Sequence, residues 1–242
     1  AIRSLYIPVF SKQFMTAIAH IVDKSELILS RSKQVYKNSE ELIYKALHLD
    51  TWEPATETKS IKSYSDCFIN CNRLDAEYYQ PKYDELFALL GAYDTKTLSE
   101  IVNIEKSIEP GSEAYQTDGI PFIRVANLSK FGIADTDVYL SAEEYGDIIR
   151  PKKDTILLSK DGSVGIAYKV EKYTNIITSG AILHLTVKDD SVMPDYLTLV
   201  LNSIVVKMQA ERDAGGSVIQ HLKPSEIEKV IIPILDNEVQ VQ

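Results

Sequence analysis

The stretch SKQFMTAIAHIVDKSELILSRSKQVYKNSEELIYKALHL, residues 11–49, decides the architecture. It holds neither Gly nor Pro, with Pro8 before it and Pro54 after it. Apolar side chains recur at intervals of seven: Phe14, Ile21, Ile28, Val35, Leu42 and Leu49. A second series, Met15, Val22, Leu29, Tyr36 and Ile43, follows one residue later. Heptads sustained this long predict a coiled-coil-like helix. About 38 residues at ~1.5 Å each make a rod of ~57 Å.

A third series, Ile18, Ser25, Ser32, Ser39 and Ala46, is small after its first member. Positions three apart share a helix face. The seam therefore alternates Ile18, Ser25, Ser32 and Ser39 with Ile21, Ile28, Val35 and Leu42. Small residues admit a close partner, and serine hydroxyls can bond back to their own helix carbonyls. One helix cannot bury this seam by itself. It either packs on its own domain or pairs with a second long helix, and the heptads favour pairing. The phrase that opens the rod, Ile7-Pro8-Val9-Phe10, returns as Ile232-Pro233-Ile234-Leu235. The chain thus reads as one period of a repeat that stops where the next long helix would begin. A first residue of Ala rather than Met is what a trimmed chain or a fragment presents.

Beyond the rod, residues 51–66 are polar and read as a linker. Asp75–Leu90 reads as a short helix interrupted by Pro81, with Tyr78, Tyr79, Tyr83, Leu86, Phe87 and Leu90 on one face. From Lys96 the character turns to strands and turns. Ile120–Val125 is a strand, with Pro121 favouring an edge or a strand start. Asp154–Ser159 and Val164–Val170 flank a hairpin turn at Lys160–Ser163, where Gly162 can take a positive φ. Ser179–Val187 is a buried strand, Pro194–Arg212 one helix, Pro224–Glu228 a helical turn and Val230–Ile232 a strand. The fold class is α+β. The divisions are a long helix at 1–50, a linker and short helix at 51–95, a mixed domain at 96–232 and the start of a second long helix at 233–242.

The 242 residues are 45% hydrophobic and 25% charged, which is ordinary for a globular chain and excludes global disorder. The net charge of −9 argues against a free-standing nucleic-acid binder. Residues 148–173 run the other way. They carry six basic residues (Arg150, Lys152, Lys153, Lys160, Lys169, Lys172) against three acidic ones, a local charge of +3. Cys67 and Cys71 are too few for a secreted framework, and no histidine accompanies them at metal-ligand spacing. The reading is cytoplasmic, with no membrane span, since Ile231–Leu235 and Ala181–Leu185 fall far short of ~20 apolar residues. No leader of charged then apolar residues opens the chain.

No nucleophile elbow, phosphate-cradling loop or His-Glu-x-x-His is present, so no catalytic residue, metal or cofactor is assigned. What remains is a binding surface. Its candidate DNA-contacting side chains are Arg124, Asn127 and Lys130; Lys152 and Lys153; Lys160, Asp161 and Ser163; and Ser217, Gln220, His221 and Lys223. These residue types hydrogen-bond phosphates and base edges.

Three motifs, Ile120–Leu128, Asp154–Gly165 and Gly215–Leu222 followed by Ile231–Ile234, resemble in order and type the specificity subunit of Type I restriction–modification systems. The long helix resembles that family's spacer helix. The resemblance implies a target recognition domain that reads double-stranded DNA in the major groove. Lys152 and Lys153 would hold phosphates, and the loops at 124–130, 160–163 and 217–223 would face the bases. It implies as partners the methyltransferase (modification) subunits and the restriction subunit, which supply the chemistry. The family pattern alternates two recognition domains with two antiparallel helices. One of each here implies a half-subunit that could homodimerise through the long helix. Two other readings stay open: a coiled-coil protein-interaction scaffold, and the recognition part of a fused methyltransferase–nuclease.

Overall fold

Ser11 caps the rod by accepting a hydrogen bond from the Phe14 N–H at 3.3 Å, and helix α1 runs over Lys12–Ala46. Its 35 residues span ~52 Å at ~1.5 Å each. The computed structural model describes residue 6, residues 8–214 and residues 222–241. No helix among them is long and apolar enough to cross a membrane. Most of α1 stands free. Only its last turns, through Ile43 and the following Leu47 and Leu49, enter the main core. Tyr93 fastens this end, its hydroxyl donating to the Ala46 carbonyl at 3.1 Å.

Residues 51–62 form neither helix nor strand, and α2 covers Pro81–Leu90. Pro81 does not interrupt a helix. It opens one, where its missing N–H costs nothing and its fixed φ suits the first turn. A separate 3-10 turn at Ala76–Tyr79 precedes it. Of the aromatic face, Tyr83 is buried with Leu86 and Leu90, while Tyr78 lies under the guanidinium groups of Arg73 and Arg212.

β1 (Thr95–Thr97) leads into the single turn α3 (Leu98–Ile101), closed by Glu100 accepting from the Thr97 N–H at 2.7 Å. β2 (Val102–Lys106), β3 (Ile120–Ile123), β4 (Leu128–Ser129), β5 (Gly132–Ile133) and β6 (Tyr139–Leu140) follow. β7 (Ile156–Ser159) and β8 (Ala167–Lys169) are the two arms of the expected hairpin, with Gly162 at φ +72° in the connection. β9 (Ile177–Thr178) and β10 (Ile182–Val187) complete this run.

Next come α4 (Pro194–Leu201) and α5 (Ile204–Ala214), two helices where the sequence reads as one. The break is tertiary in origin. Asn202 donates to the Ala167 carbonyl at 2.8 Å and accepts from the Ala167 N–H at 3.1 Å, so its amide completes β8. Ser203 turns back onto the Val200 carbonyl at 2.6 Å. α6 (Pro224–Ile227), β11 (Ile231–Pro233) and α7 (Asn237–Gln240) end the described chain.

The central sheet has order β2-β10-β7-β8 and is antiparallel throughout. Leu183 and Leu185 of β10 face the main core together with α4 and α5. Such side chains stabilise by ~1.5–3 kcal/mol each on full burial. A second sheet has order β6-β3-β9. Pro121 lies at the start of its middle strand, not on an edge. β3 pairs with β6 through Ile120 and Pro121, and with β9 through Phe122 and Ile123. β1 pairs with β11 and brings the two ends of this unit together.

Candidate nucleic-acid interface

The polar residue types marked in the sequence meet very different surroundings. Asn127 is spent on its own loop. Its Oδ1 accepts from the Arg124 N–H at 3.1 Å, and its Nδ2 donates to the Asp135 carbonyl at 3.0 Å. Arg124 is half-exposed, with Nη2 3.7 Å from Asp137 and Nε buried without a partner. Lys130 does not stand free on a reading loop. Its Nζ lies 2.9 Å from Glu40 of α1 and 4.1 Å from the centre of the Tyr36 ring. Phe131 meets the same ring edge-on, at 5.2 Å between centroids. The 130–131 tip is thus a seat for the rod.

Lys160 does not face outward from its loop either. It is buried, its ammonium paired with Asp161, because its backbone is clamped between the Ala181 carbonyl and the Leu222 N–H. Ser163 is exposed, and its carbonyl accepts from Ser159 Oγ at 2.5 Å. Lys223 is exposed, and its N–H donates to Glu226 at 2.8 Å. Ser217, Gln220 and His221 lie outside the described residues.

Lys152 and Lys153 are exposed, with neither ammonium group hydrogen-bonded or paired. They sit on a turn where Asp154 takes φ +64°. Arg150 stiffens the turn by donating to the carbonyls of Ile148, Tyr145 and Gly146 and to Asn175 Oδ1.

This turn is one wall of a groove of about 560 Å³ whose floor is the polar face of the β2–β10 pair. Strand alternation builds that floor. Asn103 lies opposite Thr186 and Glu105 opposite His184, while Leu183 and Leu185 point to the core. Asn103, Glu105 and Thr186 are exposed, and their side chains make no hydrogen bond or ion pair. His184 is 1% exposed, with Nε2 2.8 Å from Thr178 Oγ1 and Nδ1 unpartnered. Burial pushes its pKa down to about 4, so the imidazole is neutral near pH 7. Sequence reasoning missed this floor. Its signal was the alternation Val102-Asn103-Ile104-Glu105, which is short and lies beside a helical turn.

On α1 the seam residues Ile18, Ile21, Ser25, Ile28, Ser32, Val35 and Leu42 are exposed, and Ile21 keeps 61% of its surface open. Ser39 alone among the seam serines bonds back, to the Val35 carbonyl at 3.1 Å. Among the described residues no three His, Cys, Asp or Glu side chains gather as a metal site.

A family model described as the Type I restriction modification DNA specificity domain matches residues 91–242. No curated protein matches. Among solved structures, the S subunit of a Type I restriction-modification system from M. genitalium is 16% identical. That match covers 62% of this chain and 36% of that one, with a TM-score of 0.44. The HsdS subunit from Thermoanaerobacter tengcongensis is 16% identical over 95% of this chain and 47% of its own, with a TM-score of 0.45. A chain from work on complex assembly and conformational transition of the type I R-M system is 15% identical. It covers 100% of this chain and 55% of its own, with a TM-score of 0.51, a likeness of fold. This chain spans between about a third and just over half the length of those solved chains.

Proposed function

Since the chain belongs to the family of Type I restriction modification DNA specificity domains, we propose that it reads a DNA sequence for a restriction–modification complex and leaves the chemistry to partner subunits. The family match over residues 91–242 carries this reading. In the proposed organisation, residues 96–232 are the target recognition domain, 1–50 the spacer helix and 233–242 the start of a second one. Lys152 and Lys153 hold phosphates of double-stranded DNA, as the two unpaired cations on a stiffened turn. The open apolar seam of α1 receives a second long helix, from another copy or another part of a longer protein, and the paired rods present methyltransferase and restriction subunits. The protein works in the cytoplasm, where its DNA is.

Replacing Lys152 and Lys153 together with Ala tests the phosphate role. Affinity should fall by a similar factor for every duplex, and the slope of log affinity against log salt should lessen by up to about two. An unchanged slope removes both lysines from the phosphate-contacting set.

A further inference from the structure

The β2–β10 floor offers more than phosphate contact. Asn103, Glu105 and Thr186 are exposed polar side chains without partners, gathered on one face of the antiparallel β2–β10 pair at the open edge of the central sheet. β2 is the outermost strand of its sheet, so one flank of the ribbon is open. On its other side β10 continues the sheet into β7, and the 149–155 turn with its two unpaired lysines walls the groove above the strands. The major groove of B-DNA admits a two-stranded ribbon. Glu105 makes no ion pair although three cations line the same groove, which leaves its carboxylate free as an acceptor. His184, opposite it in register, is fixed by its hydrogen bond with Thr178.

Resting on the DNA-recognition reading above, we infer that Asn103 and Glu105 are specificity-determining residues that read base edges from this ribbon while Lys152 and Lys153 hold the adjacent phosphates. The chemistry sets what each can read. A carboxylate accepts from the exocyclic amino group of cytosine or adenine and repels the O6 of guanine and the O4 of thymine. An asparagine amide matches N6 and N7 of adenine. The strand sets the spacing. Residues two apart are ~6.8 Å apart at ~3.4 Å per residue, and stacked bases rise ~3.4 Å per step. The two side chains therefore read positions two base pairs apart.

The test selects bound duplexes from a randomised library with the full chain at low salt and sequences them. The unaltered chain should enrich a motif with an amino-bearing base at one position and adenine two base pairs away. Glu105→Lys should replace the first preference by guanine and leave the rest of the motif. Asn103→Ala should relax only the second. Each change should shift discrimination by on the order of ten-fold to a hundred-fold. Both residues are exposed, and circular dichroism checks that the variants fold. The variant with Lys152 and Lys153 replaced should bind less DNA and enrich the same motif. An identical motif from Glu105→Lys and Asn103→Ala overturns the base-reading assignment and leaves DNA recognition standing. An unaltered chain that enriches no motif overturns the recognition reading and this inference with it.

Discussion

His184 shares a hydrogen bond with Thr178 at one ring nitrogen and has no partner for the other. Protonating it in place would bury a charge, which is why its pKa falls to about 4 from an ordinary 6.5. The unfolded chain binds this proton more readily than the folded one between those two values. Stability from this residue is therefore complete above pH 6.5 and is lost as pH falls toward 4. Between pH 7.5 and pH 5 the loss should be about 2 kcal/mol. Denaturant unfolding at the two pH values should show it, and His184→Gln should flatten the curve over that window. A variant as acid-sensitive as the parent would reject the assignment. At this scale residue type was legible and availability was not. Lys130 and Lys152 look alike in the sequence, yet Glu40 waits for one of them 90 positions away and nothing claims the other.

At the level of elements, α1 was readable because a heptad is a local pattern repeated many times, and each repeat votes for the same face. The division of α4 from α5 was not, since the Asn202 amide bonds to Ala167 across 35 positions. β2 was hard for a related reason: its polar members form an open face and mimic a loop. Lys130 bridges Glu40 and covers Tyr36, but it is partly exposed, so the contact is worth at most about 1 kcal/mol. Lys130→Ala should speed amide exchange in residues 36–46 by up to about five-fold and leave the β2-β10-β7-β8 sheet unchanged. Equal acceleration in the sheet, or none in the helix, would show that the seat lies elsewhere.

For the whole molecule, the charge of −9 as a total argues against a DNA partner, and the structure shows how unevenly that charge is spread. Lys130, Lys160 and Lys169 are neutralised by carboxylates of the same chain, whereas Lys152 and Lys153 are not. An average over the chain does not describe the surface that meets a partner. The apolar seam is the second molecular-scale property. If the proposed pairing holds for two copies, sedimentation should show concentration-dependent dimers, and replacing Ile21 and Ile28 with Lys should leave monomers. A parent chain that stays monomeric at every concentration would exclude self-pairing.

The way α1 is mounted has a mechanical consequence. From Tyr36 to Ala46 the helix is gripped over ~16 Å, and from Lys12 to Val35 it projects for ~36 Å at ~1.5 Å per residue. It is a lever with its short arm in the α+β domain and its long arm outside. A slip of 1 Å at the grip would swing the tip by about twice that, in the ratio of those lengths. Conversely, whatever holds the long arm has the mechanical advantage and aims the domain. On the proposed reading, the accuracy with which the β2–β10 floor meets its bases would then be set from the far end of a rod ~52 Å long.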